Sequence, residues 1–308
     1  MLLKSNIKNI TIPKTKGKIL YDMKLSHLTW FKVGGKTDLF FQPRDLNDLR
    51  IFLSHIDNEI PIYVLGAGSN TLFRDAGFNG IVIKLGRGFD FIKSLDKKTI
   101  SVGAATNCIK LARTLAKNGM SGLEFFSGIP GTIGGAIRMN SGAYGKETSD
   151  ALIEIMIMTK KGDIKNISPN DYYMGYRETE FPRDYIFISA KFLHGKNYVV
   201  DNLEKLKQLN KERKNSQPIK EKTGGSTFKN PKGFKAWELI ENSGCKNFKV
   251  GDATLSKMHS NFLVNNGEAT SSNLEELGEK IIKRVYQRSG IKLIWEIRIV
   301  GKKIKEHN

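Results

Sequence analysis

The stretch from Ser127 to Gly145, S-G-I-P-G-T-I-G-G-A-I-R-M-N-S-G-A-Y-G, constrains this chain more than any other. So dense a run of glycine, with Pro130 among it, argues against a stable helix or strand interior and for backbone brought close to something else. Glycine has no Cβ, so its main-chain N–H groups can approach a phosphate or a flat ring. A second loop of this kind lies upstream, where Tyr63-Val64-Leu65 reads as a short buried strand entering Gly66-Ala67-Gly68-Ser69-Asn70-Thr71. Two such loops in one chain suggest a ligand with more than one part, such as a dinucleotide.

The 308 residues suffice for two or three domains, and 39% hydrophobic with 26% charged residues is a globular composition. No apolar run approaches the length of a membrane span, and Met1-Leu2-Leu3-Lys4-Ser5-Asn6 does not read as a signal peptide, so a cytoplasmic protein without membrane insertion is expected. Cys108 and Cys245 stand outside any C-x-x-C spacing and read as free thiols. His27, His55, His194, His259 and His307 form no close ligand pair, so no metal site is expected. Fifty Lys and Arg against 31 Asp and Glu give a net charge of +19, which would attract a polyanion. The charge is scattered, with runs such as Lys211-Glu212-Arg213-Lys214 that read as a solvated helix face, and the bias to Lys, Asn and Ile fits genomic composition better than nucleic-acid binding.

Along the chain, Asp38 to Gln42 reads as a strand. A helix opens at Pro43-Arg44-Asp45 with Leu46, Leu49, Ile51, Phe52 and Leu53 as its buried stripe, and Ile62 to Leu65 is the next strand, followed by Gly80 to Leu85. Thr99 to Gly103 is a further strand; Asn107 caps a helix that Gly119 closes. Leu152 to Thr159 and Tyr185 to Phe192 are strand-like. Asp201 to Ser216 is a charged connector helix with Leu203, Leu206 and Leu209 at helical spacing, ended by Pro218. A helix near Ala236 to Asn242, a capping box Ser272-x-x-Glu275 opening a helix to Ser289, and a last strand from Ile291 to Val300 complete the pattern. The expected division is 20–90, 91–199 and 200–308.

Four segments carry polar chemistry. Thr223 to Pro231 combines Gly224-Gly225 with Ser226, Phe228, Lys229 and Asn230, as a polar binding loop does, although a plain surface turn would explain its Gly-Gly and Asn-Pro. Arg177 stands among tyrosines in Tyr172-Tyr173-Met174-Gly175-Tyr176-Arg177, where ring packing could hold a guanidinium for a carboxylate; an exposed loop with an ordinary salt bridge accounts for it equally well. Alternation in the last strand points Glu296 and Arg298 the same way, which by spacing alone reads as a solvent-facing pair. His259, just before a strand, reads first as a hydrogen-bonded structural histidine.

Taken in order, Gly66 to Asn70, Gly128 to Gly135, Met139 to Gly145, Tyr176-Arg177-Glu178, Gly225 to Pro231 and Glu296 to Gly301 resemble the UDP-N-acetylenolpyruvoylglucosamine reductases, flavoenzymes of peptidoglycan precursor synthesis. The resemblance runs from about Leu28 to Gly301. It implies an α+β protein with a two-part FAD-binding domain of the vanillyl-alcohol-oxidase type and a C-terminal substrate-binding domain. It also implies FAD and NADPH as cofactors, a UDP-sugar substrate, no nucleic-acid partner and a monomer. Carried over by position, catalysis falls to Arg177, to Ser226 as proton donor and to Glu296. FAD contacts fall on Gly66, Ala67, Gly68, Ser69 and Asn70, and on Gly128, Pro130, Gly131, Thr132, Gly134, Gly135, Asn140, Gly142 and Ala143. Lys229, Asn230 and His259 match substrate positions. Ser141, Glu178-Thr179 and Ser260 depart from the family's usual residues without removing a reacting group. The short link from Arg177 to Ile186 is similar to the family's short form, which lacks a tyrosine-bearing loop. The alternatives are another flavin oxidase of the same superfamily, for which neither glycine loop offers a His or Cys to tether a flavin, and a basic nucleic-acid-binding protein.

Overall fold

The computed structural model describes residues 12–303. The N-terminal run Met1 to Asn6 and His307 lie outside them. Within the described residues the chain divides into two compact units, one of 12–21, 38–67 and 80–213, the other of 22–37, 68–79 and 214–303.

In the first unit the strands Lys18–Lys24, Lys36–Gln42, Phe78–Ile83 and Ile62–Val64 lie in that order across a sheet. The helix Leu46–His55 leaves Lys36–Gln42 and leads to Ile62–Val64, which runs parallel to Phe78–Ile83 with Tyr63 opposite Val82. Asp45 caps this helix by accepting the Asp48 N–H at 2.9 Å, and Leu49, Phe52 and Leu53 bury its apolar stripe. Phe52 stacks on Phe41 of the sheet at 4.0 Å between ring centroids. Ile51 is only half-buried, and the expected buried strand at 62–65 is half-buried at Ile62 and Tyr63 and exposed at Val64. Only Leu65 is fully inside, because so short a strand has one covered face.

A five-stranded antiparallel sheet follows, in the order Ile164–Ile167, Leu152–Met158, Ile186–Leu193, Thr99–Gly103 and Ile92–Ser94. The helix Cys108–Lys117 buries Leu111, Ala112 and Leu115 against this sheet's core; Asn107 caps it and Gly119, at φ +67°, follows its end. Cys108 is buried there, and burial pushes its thiol pKa far up, so it packs as a small apolar group. The helix Val199–Ser216 presents Leu206 and Asn202 inward, while Leu203 is exposed; the stripe is narrower than its leucine spacing suggests because Asn202 takes an inward place, donating to the Met120 carbonyl at 3.3 Å.

The second unit pairs Thr71–Phe73 in parallel with Arg298–Val300 and holds the meander Lys249–Val250, Ala253–Leu255 and Leu263–Asn265. The helices Ala236–Asn242 and Ser271–Ser289 cover a core of Phe31, Leu72, Phe228, Ile240, Leu277, Ile281 and Leu293. Two expectations change. The capping box at the last helix is Thr270 with Asn273, two residues before Ser272 with Glu275: Ser272 instead donates to Asp75, and Glu275 pairs with Arg74 at 2.8 Å. The last strand is regular only over Arg298–Val300. Upstream of it the chain keeps the alternation, with Leu293 and Ile297 buried and Ile294 exposed, but makes a single bridge, Phe228 with Trp295.

Candidate active site

The second glycine loop does contain a helix. After the turn Glu124–Gly128 and the link through Pro130 and Gly131, Ile133–Arg138 forms six helical residues with Gly134 and Gly135 inside, against the expectation from glycine density. Thr132 caps it, its Oγ1 accepting the Gly135 N–H at 3.4 Å, and Ile133, Ala136 and Ile137 are buried. Close packing offsets the cost of about 1 kcal/mol per helical glycine: a Cβ on Gly134 would lie 3.2 Å from that of Ala104. The amides at the helix start already have partners, Ile133 N–H on the Thr106 carbonyl and Gly134 N–H on that of Ala104, both at 2.9 Å. Gly131 likewise gives its N–H to Ile129 and its carbonyl to the Cys108 N–H.

The first loop is built differently. The backbone N–H groups of Gly66, Ala67, Gly68, Ser69 and Asn70 donate to nothing among the described residues. Lys84 reaches the Gly66 carbonyl with its ammonium, and burial lowers the pKa of this lysine. Gly66 is required by a close approach, since a Cβ there would lie 2.7 Å from Oγ1 of Thr132. Consecutive unpaired amides, with a partly desolvated cation at the Gly66 carbonyl, suit an anion such as a pyrophosphate, and this donor set fits the phosphate part of FAD.

Asn140, Gly142 and Ala143 lie past the helix. Gly142–Ala143 pairs with Lys146–Glu147 across the turn Tyr144-Gly145, where both residues have positive φ, +55° and +75°, as a tight hairpin requires. Asn140 is fully buried with φ +40°; its Nδ2 donates to Glu147 Oε2 at 2.9 Å and to the Gly175 carbonyl at 3.1 Å, and its Oδ1 accepts the Ser149 N–H. Both amide hydrogens are therefore engaged within the protein. Arg213, expected on a solvated face, is half-buried and reaches the Ser127 carbonyl at 3.5 Å; burial lowers its pKa.

Arg177 occupies the turn of the hairpin Met174–Gly175 with Glu178–Thr179 and has φ +56°, a strained value for a residue with a side chain. Its Nη2 donates to the Gly142 carbonyl at 2.7 Å, its Nη1 lies 3.8 Å from Glu147 Oε1, and its guanidinium carbon sits 5.1 Å from the Tyr176 ring centroid. Thr179 donates to the Arg138 carbonyl at 2.8 Å, so this departure from the family's usual serine keeps the hydroxyl in use. Arg138 in turn donates to the Phe181, Pro182 and Tyr185 carbonyls, and the return to the strand Ile186–Leu193 takes only residues 180–185.

In the second unit Ser226 follows Gly225, which has φ +81°, and precedes the buried Thr227. The Thr227 carbonyl accepts the Glu296 N–H at 2.8 Å, and the Glu296 carbonyl accepts from Asn70 Nδ2 at 3.2 Å. Ser226 and Glu296 are thus set one residue apart across a backbone ladder, with Phe228 and Trp295 packed as the anchoring pair at 5.1 Å. Lys229 extends the ladder, its N–H on the Ile294 carbonyl. Asn230 accepts the Ala236 N–H through Oδ1 at 2.9 Å. His259 accepts the Asn261 N–H through Nδ1 at 3.2 Å and lies between Trp237 and Phe262; burial lowers its pKa and favours the neutral ring. Ser260, another departure, donates to Glu241 at 2.6 Å. Arg177 belongs to the first unit and these residues to the second.

A family model described as FAD binding domain matches residues 37–168, and one described as UDP-N-acetylenolpyruvoylglucosamine reductase, C-terminal domain, matches 217–300. The UDP-N-acetylenolpyruvoylglucosamine reductase of Rickettsia bellii is 43% identical over 293 residues, 95% of this chain and 97% of its own. That of Azorhizobium caulinodans is 44% identical, covering 94% of each chain. The chain belongs to the UDP-N-acetylenolpyruvoylglucosamine reductase family. The crystal structure of UDP-N-acetylenolpyruvylglucosamine reductase from Thermus caldophilus matches with a TM-score of 0.78 at 31% identity, over 93% of this chain and 99% of that one. The reductase fold is accordingly α+β, an FAD-binding domain of the vanillyl-alcohol-oxidase type with a C-terminal reductase domain, and the family is one of FAD-containing oxidoreductases. No helix among the described residues is long and apolar enough to cross a membrane. Lys84, Arg138 and Glu147 are site neighbours that the sequence does not single out. Lys84 ends an apolar strand and could have been noticed as a cation entering the interior; Arg138 and Glu147 carry no local signal.

Proposed function

We propose that this chain reduces UDP-N-acetylenolpyruvoylglucosamine to UDP-N-acetylmuramate with NADPH, as a monomer in the cytoplasm, using 20–90 and 91–199 for FAD and 200–308 for substrate. The observation that carries the reading is the pairing of a family-wide match with a row of unpaired amides, Gly66 to Asn70, whose first carbonyl receives the half-buried Lys84. These residues would hold the FAD pyrophosphate, with Gly128, Pro130, Gly131, Thr132, Gly134, Gly135, Gly142 and Ala143 adding contact surface. Bound FAD supplies the hydride, taken from NADPH, that reaches the enolpyruvyl double bond.

The remaining chemistry belongs to side chains. Hydride addition at the terminal carbon leaves negative charge that delocalises into the substrate's carboxylate, and that charge is the barrier. Arg177 binds and polarises the carboxylate through a guanidinium already aligned by Gly142 and Tyr176. Glu296, fixed at both its N–H and its carbonyl, shares a proton with the developing enolate. Ser226 gives its hydroxyl proton to the adjacent carbon; a hydroxyl is a weak acid, so it acts only on a strongly basic, carbanion-like centre. Lys229, Asn230 and neutral His259 contact the substrate.

The test is direct. Purified protein should show the flavin absorption bands, or acquire them with added FAD, and oxidise NADPH only when the enolpyruvyl substrate is present. A protein that binds no FAD, or one whose bound FAD is tethered covalently and reoxidised by oxygen in place of the substrate, would overturn the reading. The second of these outcomes would favour the oxidase alternative.

A further inference from the structure

We propose that Glu147 is the positioning residue of Arg177, and that Asn140 fixes Glu147 for that task. The inference rests on the reading that Arg177 binds the substrate carboxylate. Arg177 stands in a strained turn, φ +56°, which surrounding groups must hold in place. Its guanidinium meets the Gly142 carbonyl through Nη2, and Nη1 lies 3.8 Å from Glu147 Oε1. Glu147 is itself locked: Oε2 accepts from Asn140 at 2.9 Å, the carboxylate also accepts the Asp150 N–H, and its Cα is the register partner of Gly142. Asn140 is the hub, because the same Nδ2 donates to the carbonyl of Gly175, two residues before Arg177. One buried carboxamide thus grips both the carboxylate that faces the arginine and the base of the turn that carries it.

The arrangement has a specific consequence. A guanidinium presents several N–H donors in a fixed fork, and an anchored carboxylate beside one edge fixes the side chain's rotamer. A second carboxylate near Arg177 also competes electrostatically with the substrate's own. Glu147 therefore aligns the arginine for the transition state without strengthening ground-state binding. Neutralising it should slow the step that develops charge and leave carboxylate affinity unchanged or improved, which a merely structural contact would not do.

The experiment uses FAD-loaded protein, with stopped-flow absorbance for each half-reaction in the wild type, Glu147→Gln, Arg177→Lys and the double variant. Glu147→Gln keeps an acceptor for Asn140 and Asp150. We expect it to show normal flavin reduction by NADPH, reoxidation by the enolpyruvyl substrate slowed roughly ten- to a hundredfold, and a Kd for UDP-N-acetylmuramate, read from the flavin spectrum, no weaker than wild type. The double variant should be no slower than Arg177→Lys alone. Wild-type reoxidation in Glu147→Gln, a matching loss of product affinity or of melting temperature, or independent multiplication of the two effects would overturn the inference. If Arg177→Lys itself reoxidises normally, the role of Arg177 fails first, and this inference with it.

Discussion

The two glycine loops look alike in sequence and do opposite things. From Gly66 to Asn70 the backbone amides have no acceptor among the described residues, and a half-buried lysine, Lys84, reaches the Gly66 carbonyl. From Gly131 to Gly135 the amides of Gly131, Ile133, Gly134 and Gly135 are all taken up inside the protein, and the absence of side chains lets a short helix sit against Ala104. The residues that follow, Asn140 to Glu147, turn towards the arginine hairpin. Glycine density therefore reports a close approach, while the fate of the amides reports whether an anion or another part of the protein makes it.

That contrast can be broken by substitution. The largest effect is expected in the second loop, at Asn140→Ala. It strips partners from Glu147, the Gly175 carbonyl and the Ser149 N–H in a fully buried place, at about 1 kcal/mol per lost bond and more for groups left unpaired. Chemical denaturation should show a loss of roughly 3 kcal/mol, with reoxidation by substrate falling further than flavin reduction by NADPH. Full stability in this variant would mean the hub is ornamental.

A smaller and opposite signature is expected at Lys84→Met in the first loop. Removing a cation whose pKa burial has lowered relieves a desolvation cost, so the FAD-free protein should melt at the same temperature or higher. FAD affinity should nevertheless weaken about tenfold, equivalent to about 1.4 kcal/mol, because the donor row loses its charge. Unchanged FAD affinity by titration of flavin fluorescence would show that Lys84 serves the fold alone and would erase the distinction between the loops.

Much of this was legible beforehand, for identifiable reasons. The helix start at Pro43-Arg44-Asp45, the cap Asn107 and the stop at Gly119 are local chemistry, and the structure keeps all three. The order of motifs carried the family. What could not be read were relations across long sequence separations. Asn140 matches a cofactor position by the resemblance, and nothing local to it announces that both of its amide hydrogens are engaged by Glu147 and Gly175. Arg213 looked solvated within a charged run, yet burial lowers its pKa beside the Ser127 carbonyl. The Ser272 and Glu275 spacing matched a capping box, but tertiary partners Asp75 and Arg74 claimed both side chains and the cap moved to Thr270. The last strand kept its alternation but is regular only from Arg298; upstream of it the pairing among the described residues is the single bridge of Phe228 with Trp295 and the hydrogen bonds that flank it.

The central claim is that the first loop holds the cofactor's pyrophosphate and the second adds contact surface, while side chains outside them complete the reduction, with Ser226 donating the final proton. Stopped-flow absorbance of FAD-loaded Ser226→Ala separates these parts. NADPH should reduce the flavin at the wild-type rate, and reoxidation by the enolpyruvyl substrate should lose most of its rate, on the order of a hundredfold or more as expected for a removed general acid. Near-normal reoxidation in that variant would contradict the account.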